Sequence, residues 1–315
     1  MAQPSLLSQT YAHNWIGVRP RFNQFLAKLA LTQNQIDDAL TKLRAITRCL
    51  NLAYWNSSSE INNAGLVGSW GKGTCIRPPT DTDMLFLLPD AVYWRFERRE
   101  GNKQSVLLQE VKSCLESTYP QTTMRGDGQV VMVQFNSICF EVVPAFIPEN
   151  RDGYIICDTN NGGGYKTTYP LDERKNIQDC NAAFNGNAVH LIKMAKCWRN
   201  ACSVPIASFH LEHLAVEFIN QWPHRGCDVF WYDWMMRDLF IWLTVQHRQT
   251  LLSRFRYMPG SRKYDDPFAG DWLSKAESAA DRAIKACEFE YYNKTIEAGQ
   301  EWQKIFGYDI PVYVL

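Results

Sequence analysis

The residues with the clearest chemical potential lie in one stretch: Gly68-Ser69, eleven residues, then Asp81-Thr82-Asp83, running directly into Met84-Leu85-Phe86-Leu87-Leu88. Alternate side chains of a strand share a face, so Asp81 and Asp83 project together. A third acid, Glu141, sits in the apolar run Cys139-Phe140-Glu141-Val142-Val143-Pro144, where an uncompensated charge would be expensive. At about 4 Å and an effective dielectric near 20, each pair of converging carboxylates repels by on the order of 4 kcal/mol. Such a trio persists by raising a pKa, by pairing with bases or by binding divalent cations. The neighbours Thr82, Met84, Phe140 and Val142 offer no base. Two Mg2+ ions, with Mn2+ as a substitute, would bridge the acids to phosphate oxygens and promote in-line displacement at phosphorus.

The glycine-rich turn invites a P-loop reading through Gly71-Lys72-Gly73-Thr74. That motif needs Ser or Thr directly after the lysine and an earlier glycine where this chain has Leu66, so it is rejected. The backbone amides of Gly68 and Ser69, the Ser69 hydroxyl and a short following helix still suit phosphate. A second constellation, Cys197-x4-Cys202-x7-His210-x2-His213, has the ligand types of zinc but the spacing of no common module. It reads as helical packing.

The string from Gly68-Ser69-Trp70-Gly71-Lys72-Gly73-Thr74-Cys75-Ile76-Arg77-Pro78 through Asp83, with Glu141-Val142-Val143-Pro144-Ala145-Phe146, resembles the cGAS/DncV-like nucleotidyltransferases (CD-NTases). These belong to the polymerase-β-like superfamily and are bacterial synthases of cyclic oligonucleotide signals in CBASS anti-phage defence. The likeness continues through Leu191-Ile192-Lys193-Met194-Ala195-Lys196-Cys197-Trp198, Ser208-Phe209-His210-Leu211-Glu212 and Trp302-x3-Phe306-Gly307, and so covers about residues 60–310. The departure is Glu141, where the family more often has Asp; Glu ligates Mg2+ from one methylene further out.

The resemblance implies an α+β fold: a polymerase-β-like mixed-sheet lobe, a C-terminal helical lobe and an active site in the cleft between them. It implies catalytic and metal-ligating roles for Asp81, Asp83 and Glu141, and a donor triphosphate held by Gly68, Ser69, Lys196 and Ser208. Lys72 would add a phosphate contact and Phe209 would stack on the donor base, a contact worth about 1–3 kcal/mol. Tyr165-Lys166-Thr167-Thr168 resembles a segment lining the base pockets. The implied activity joins purine NTPs, ATP and/or GTP, into a cyclic dinucleotide such as a cyclic GMP-AMP, releasing pyrophosphate. The implied partners are a downstream effector receptor, reached through the cyclic nucleotide, and regulatory proteins from the same operon. Two alternatives stand beside it: linear nucleotide transfer to a protein, tRNA or small molecule, and a non-catalytic nucleotide-binding module. Neutral charge gives the first little support, and possession of all three acids argues against the second.

The elements that must position these residues follow from periodicity. Helical spacing from Phe22 to Leu50 indicates one long helix, or two broken near Thr32. Strands are expected at Ala64–Val67, Met84–Leu88, Val130–Phe135 and Ile138–Phe146, with a helix about 104–117 between the second and third. Residues 148–185, rich in Gly, Asn and Asp, read as irregular with some short strands. Helices are expected at 187–200, 208–221, 228–250 and 272–297, with a last turn near Trp302. The boundary falls at 185: residues 1–185 form the catalytic lobe with its long N-terminal helix, and 186–315 the helical lobe.

Composition bounds the rest. An apolar content of 46% and an aromatic content of 13% exclude disorder over most of the 315 residues. That length exceeds the roughly 250–300 residues at which one core tends to split in two. Thirty-three basic residues balance thirty-three acidic ones, so stable nucleic-acid binding is not expected. The local run Arg254, Arg256, Arg262 and Lys263 meets Asp265-Asp266 and reads as a solvated loop. No stretch approaches the ~20 apolar residues of a membrane span, and residues 1–19 lack the order of a signal peptide. Ten cysteines without CxxC spacing read as small buried hydrophobes in a reducing compartment. A cytoplasmic monomer is expected.

Overall fold

The structure, a computed structural model, describes residues 15–250, 256–258, 263–265 and 272–314. The N-terminal periodicity resolves into two helices, α1 (Val18–Leu29) and α2 (Gln33–Tyr54). The break is a capping box: the Thr32 hydroxyl accepts from Gln35 N, and Gln35 Oε1 accepts from Thr32 N at 2.9 Å. β1 (Ala64–Leu66) and α3 (Gly68–Lys72) lead into β2 (Asp81–Leu87). Next come α4 (Asp90–Glu97), α5 (Lys103–Thr118), β3 (Thr123–Asp127), β4 (Val130–Gln134), β5 (Cys139–Phe146), β6 (Tyr154–Asp158) and β7 (Gly164–Thr168). The seven strands form one mixed sheet in the order β1-β2-β5-β4-β3, with β6 pairing both β5 and β7. Among the described strands of this sheet only β2 and β5 run parallel.

Alternation decides which face is covered. Met84 and Phe86 of β2, with Phe140 and Val142 of β5, bury against Ile46 and Leu50 of α2 and Leu107 and Val111 of α5. The opposite face, carrying the odd-numbered residues of both strands, looks toward the helical half. There α6 (Pro170–Ala183), α7 (Asn187–Ala201), α8 (Ser208–Gln221), α9 (Tyr232–Thr250), α10 (Leu273–Tyr291) and α11 (Thr295–Phe306) pack together, and the short β8 (Arg256–Met258) and β9 (Lys263–Asp265) pair as a ribbon. Of the expected basic run, Arg254 and Arg262 lie outside the described residues, as do residues 1–14 of the N-terminus.

Packing groups the chain differently from a boundary at 185. Val18, Phe22, Phe25 and Leu29 of α1 join the helical core, as do Ile177 and Cys180 of α6, whereas α2 belongs to the sheet core. Phe22 meets Trp302 edge-on at 5.4 Å between ring centroids, and Phe25 meets Phe306 at 4.8 Å. The fully buried Arg21 completes the attachment: its Nε lies 2.9 Å from Glu290 Oε1, and its guanidinium donates to the carbonyls of Thr295, Pro311 and Val312.

Two further expectations are corrected. The segment 148–185 ends in the 14-residue α6, which has Pro170 in its first turn together with Asp172 and Glu173, the residue types that suit a helix start. The expected helix 272–297 is two: α10 stops where Asn293 turns left-handed (φ 55°), and α11 continues to Phe306. Among the described residues no helix is long and apolar enough to cross a membrane.

Candidate active site

Parallel pairing of β2 with β5 sets Asp81 opposite Cys139 and Asp83 opposite Glu141. Since Thr82, Met84, Phe140 and Val142 are buried on the covered side, Asp83 and Glu141 share the open face. Below them on that face sits a small apolar patch of Leu85, Ala145 and Ile156, with Val67 and Val143 packed against it. Burial pushes the Asp83 carboxyl above the usual carboxylate range; the positive charge of Lys72 opposes the rise and the negative charge of Asp81 adds to it.

Gly68 forms the floor beside these acids. Val67 N donates to Asp83 O at 2.9 Å, which turns the chain so that Gly68 sits at φ 55° against the Asp83 side chain. A Cβ built on Gly68 would lie 1.8 Å from Asp83 Oδ2, so any other residue here strains the backbone and displaces the Asp83 side chain. Ser69 follows, and its carbonyl accepts from Thr74 N and Cys75 N, which folds the loop back after α3.

Across the cleft, α7 and α8 present Lys196, Ser208, Phe209 and Glu212. Glu212 is 2% exposed and gathers a buried network: Lys72 Nζ is 2.6 Å from its Oε2, Lys196 Nζ is 2.6 Å from its Oε1, and the Thr74 hydroxyl donates to Oε1 at 2.6 Å. Lys196 Nζ also donates to the Thr74 carbonyl (3.2 Å) and hydroxyl (3.0 Å). Lys72 has a second carboxylate, Glu173 of α6, at 3.6 Å. Burial works against both ammonium groups. At Lys72 the two carboxylates outweigh it and the pKa rises; at Lys196, with one carboxylate and the repulsion of Lys72, burial wins and the pKa falls. Burial would raise Glu212 too, but its two lysines hold it down at about 2.

All nine residues expected at the site, Gly68, Ser69, Lys72, Asp81, Asp83, Glu141, Lys196, Ser208 and Phe209, line one cleft of about 630 Å³. A larger groove of about 1370 Å³ lies at the far ends of β2 and β5, lined by Trp55, Trp94 and Phe146, and none of the nine reaches it.

The sequence family described as the Second Messenger Oligonucleotide or Dinucleotide Synthetase (SMODS) domain matches residues 17–181, more than half of the chain. The chain belongs to this family. Its members are the cGAS/DncV-like nucleotidyltransferases, and the mixed sheet with its helical half is their fold. A probable cyclic nucleotide synthase of Bacillus cereus (strain VD146) is 25% identical over 258 residues, 76% of this chain and 74% of that protein. Among solved structures, the Vibrio cholerae DncV cyclic AMP-GMP synthase, in complex with a linear intermediate, superposes with a TM-score of 0.71 at 15% identity, covering 94% of this chain and 96% of that one. Escherichia coli MS115-1 CdnC, in its HORMA-deltaN complex, gives 0.67 at 16% identity over 94% and 99%.

Within this SMODS-family chain the two lysines expected to contact phosphate are already engaged by carboxylates of the protein. Both are buried and ion-paired inside the protein, because a dry pocket holds an ammonium only beside a counter-charge. Of the Tyr165–Thr168 stretch only Thr168 reaches the cleft; the Tyr165 ring packs on Tyr93, and Lys166 pairs with Asp158 at 2.6 Å. The Cys197 and Cys202 thiols turn to the carbonyls of Phe306 and Ile305, and the His213 ring meets Phe209 edge-on at 4.5 Å. Sequence reasoning missed Thr74, Glu173 and the role of Glu212. The signal was available: Glu212 interrupts apolar Leu211, Leu214 and Ala215 in α8, the same anomaly that singled out Glu141.

Carboxylate oxygens at adjacent same-face positions, with a third in register, are the donor set a hard divalent cation takes. Among the described residues no three His, Cys, Asp or Glu side chains are gathered around one centre.

Proposed function

We propose that this SMODS-family chain joins nucleoside triphosphates, ATP and/or GTP, into a cyclic dinucleotide second messenger such as a cyclic GMP-AMP, with pyrophosphate release. The single observation that carries the reading is the convergence of the Gly68-Ser69 turn, the strand acids and Lys196-Ser208-Phe209 on one cleft. Its structural relatives, a cyclic AMP-GMP synthase in complex with a linear intermediate among them, support the same class of product.

Asp81, Asp83 and Glu141 would hold Mg2+ or Mn2+, which when bound neutralises triphosphate charge and acidifies the attacking ribose hydroxyl. The chain's own part is positioning. Gly68 makes room for the Asp83 carboxylate itself, and the Ser69 and Ser208 hydroxyls donate to phosphate oxygens from opposite walls. Lys72 and Lys196 supply positive charge along the triphosphate. The half-buried Phe209 ring offers a stacking surface for a base. A ribose hydroxyl then displaces pyrophosphate in line at the α-phosphorus, and a second transfer within the linear product closes the ring.

Such a messenger acts through a downstream receptor, and regulatory proteins of the kind seen with CdnC would be partners of this chain. The test is incubation with all four NTPs and Mg2+ or Mn2+, followed by mass spectrometry of whatever survives phosphatase. A phosphatase-resistant dinucleotide is expected. A phosphatase-labile chain as the only product, or none, overturns the reading.

A further inference from the structure

We infer that Glu212 is a positioning residue for nucleotide transfer, holding Lys72 and Lys196 charged and aimed along the cleft; the inference rests on the nucleotide-binding reading above. Four elements converge on its buried carboxylate. Lys72 comes from the end of α3, Thr74 from the turn after it, Lys196 from α7 and Glu212 itself from α8, while Glu173 of α6 flanks Lys72. The turn that carries Gly68 and Ser69 is thereby tied to the helical half, with Glu212 at the centre of the ties.

Charge explains why a carboxylate is needed there. Two ammonium groups, 6% and 5% exposed, repel one another and favour the neutral form unless an anion lies between them. A neutral lysine contributes little to phosphate binding. Each Glu212 oxygen takes one lysine, so the carboxylate both preserves their charge and fixes their separation.

The bonds around Lys196 are unequal. Its donations to the Thr74 carbonyl and hydroxyl can be exchanged for a phosphate oxygen, neutral acceptor for anionic one. Its pair with Glu212 cannot be given up in the same way, because that would leave a desolvated carboxylate with half its charge partners. Glu212 is the least exposed of the three and acts through the lysines.

The test compares the wild type with Glu212→Gln, Lys196→Gln and the double variant. KM and kcat are measured with ATP and GTP, and titration calorimetry measures binding of α,β-methylene-ATP with Mg2+. Glu212→Gln is expected to weaken analogue binding and raise KM by about tenfold, the loss of one charged hydrogen bond, with kcat changed far less. Because Lys72 keeps Glu173 as a second counter-charge, the loss in Glu212→Gln falls on Lys196, and the double variant should bind about as Lys196→Gln does. Unchanged or tighter analogue binding in Glu212→Gln overturns the inference, as does a double variant whose losses multiply. If Glu212→Gln does not fold, the double variant, which removes both members of the pair, decides against Lys196→Gln alone. A wild type that binds the analogue yet makes no phosphatase-resistant product overturns the proposed function, while the binding comparison still decides the role of Glu212.

Discussion

Among the described strands, Asp83 and Glu141 face one another in register across the only parallel pair of the sheet. Neighbouring parallel strands keep register partners on one face, so this pairing delivers two acids from segments 58 positions apart in sequence (141 − 83) without help from a loop. Asp81, one pleat away on β2, adds the third.

This crowding gives a sign to Asp83→Asn. Burial already holds the carboxyl above its ordinary range, so the charged form costs folding energy in the metal-free protein. The substitution removes that cost. The melting temperature in EDTA should stay equal or rise, while formation of phosphatase-resistant product falls by on the order of a hundredfold or more. The upward melting shift that Mg2+ gives the wild type should also vanish. Thermal melts with and without Mg2+, beside product analysis, check both halves; a variant that melts several degrees lower and stays active would show the acids to be structural.

Gly68→Ala should separate backbone strain from displacement of Asp83. The position has φ 55°, and the added Cβ would stand 1.8 Å from Asp83 Oδ2. Gly73 has a similar φ of 73° but nothing within 4 Å of its Cβ. Both alanine variants should lose about 1–3 kcal/mol of stability from the left-handed backbone. Activity should fall on the order of a hundredfold only at Gly68, because misplacing a catalytic group by an ångström costs about that much. Equal activities in the two variants would break the link between Gly68 and Asp83.

The strand acids were legible because their signal is local: same-face spacing at Asp81 and Asp83, and a charge among apolar neighbours at Glu141. The family resemblance supplied the helical half of the site, including Lys196, Ser208 and Phe209. What sequence could not give was partnership over long separations. Nothing near Lys72 indicates that its counter-charges are Glu212 and Glu173, or that Phe22 and Phe25 of α1 belong with Trp302 and Phe306 rather than with the sheet. Elements without apolar periodicity were missed for a different reason. β3 is Thr-Met-Arg-Gly-Asp, and α6 is largely polar, so each is held by its neighbours more than by its own pattern.

The buried network predicts an acid-sensitive stability. Glu212 falls from an ordinary carboxyl value of 4.5 to about 2 in the folded chain, because its two lysines outweigh the cost of burial. A depressed folded pKa stabilises above the unfolded value and loses that contribution as pH falls toward the folded one. Between about pH 4.5 and 2 the wild type should therefore lose on the order of 3 kcal/mol from this group. Urea midpoints across that window should fall less steeply for Glu212→Gln, which has no such proton to bind. Parallel slopes for the two proteins would mean that the carboxylate is not held as its neighbours imply.

Arg21 gives the corresponding test for the attachment of α1. Its guanidinium is fully buried, paired to Glu290 at 2.9 Å and donating to three carbonyls near the C-terminal end of the chain. Burial pushes Glu290 up and the guanidinium opposes it, so Arg21→Met leaves a desolvated carboxyl without its charge partner. Stability should drop by about 3–5 kcal/mol, the usual cost of breaking one side of a buried pair. Replacing Glu290 by Met as well should recover only part, since the carbonyls of Thr295, Pro311 and Val312 still lack their donor. Urea unfolding of the two variants measures this directly. A single variant within about 1 kcal/mol of the wild type would mean that the aromatic contacts of Phe22 and Phe25 suffice to hold α1 on the helical half.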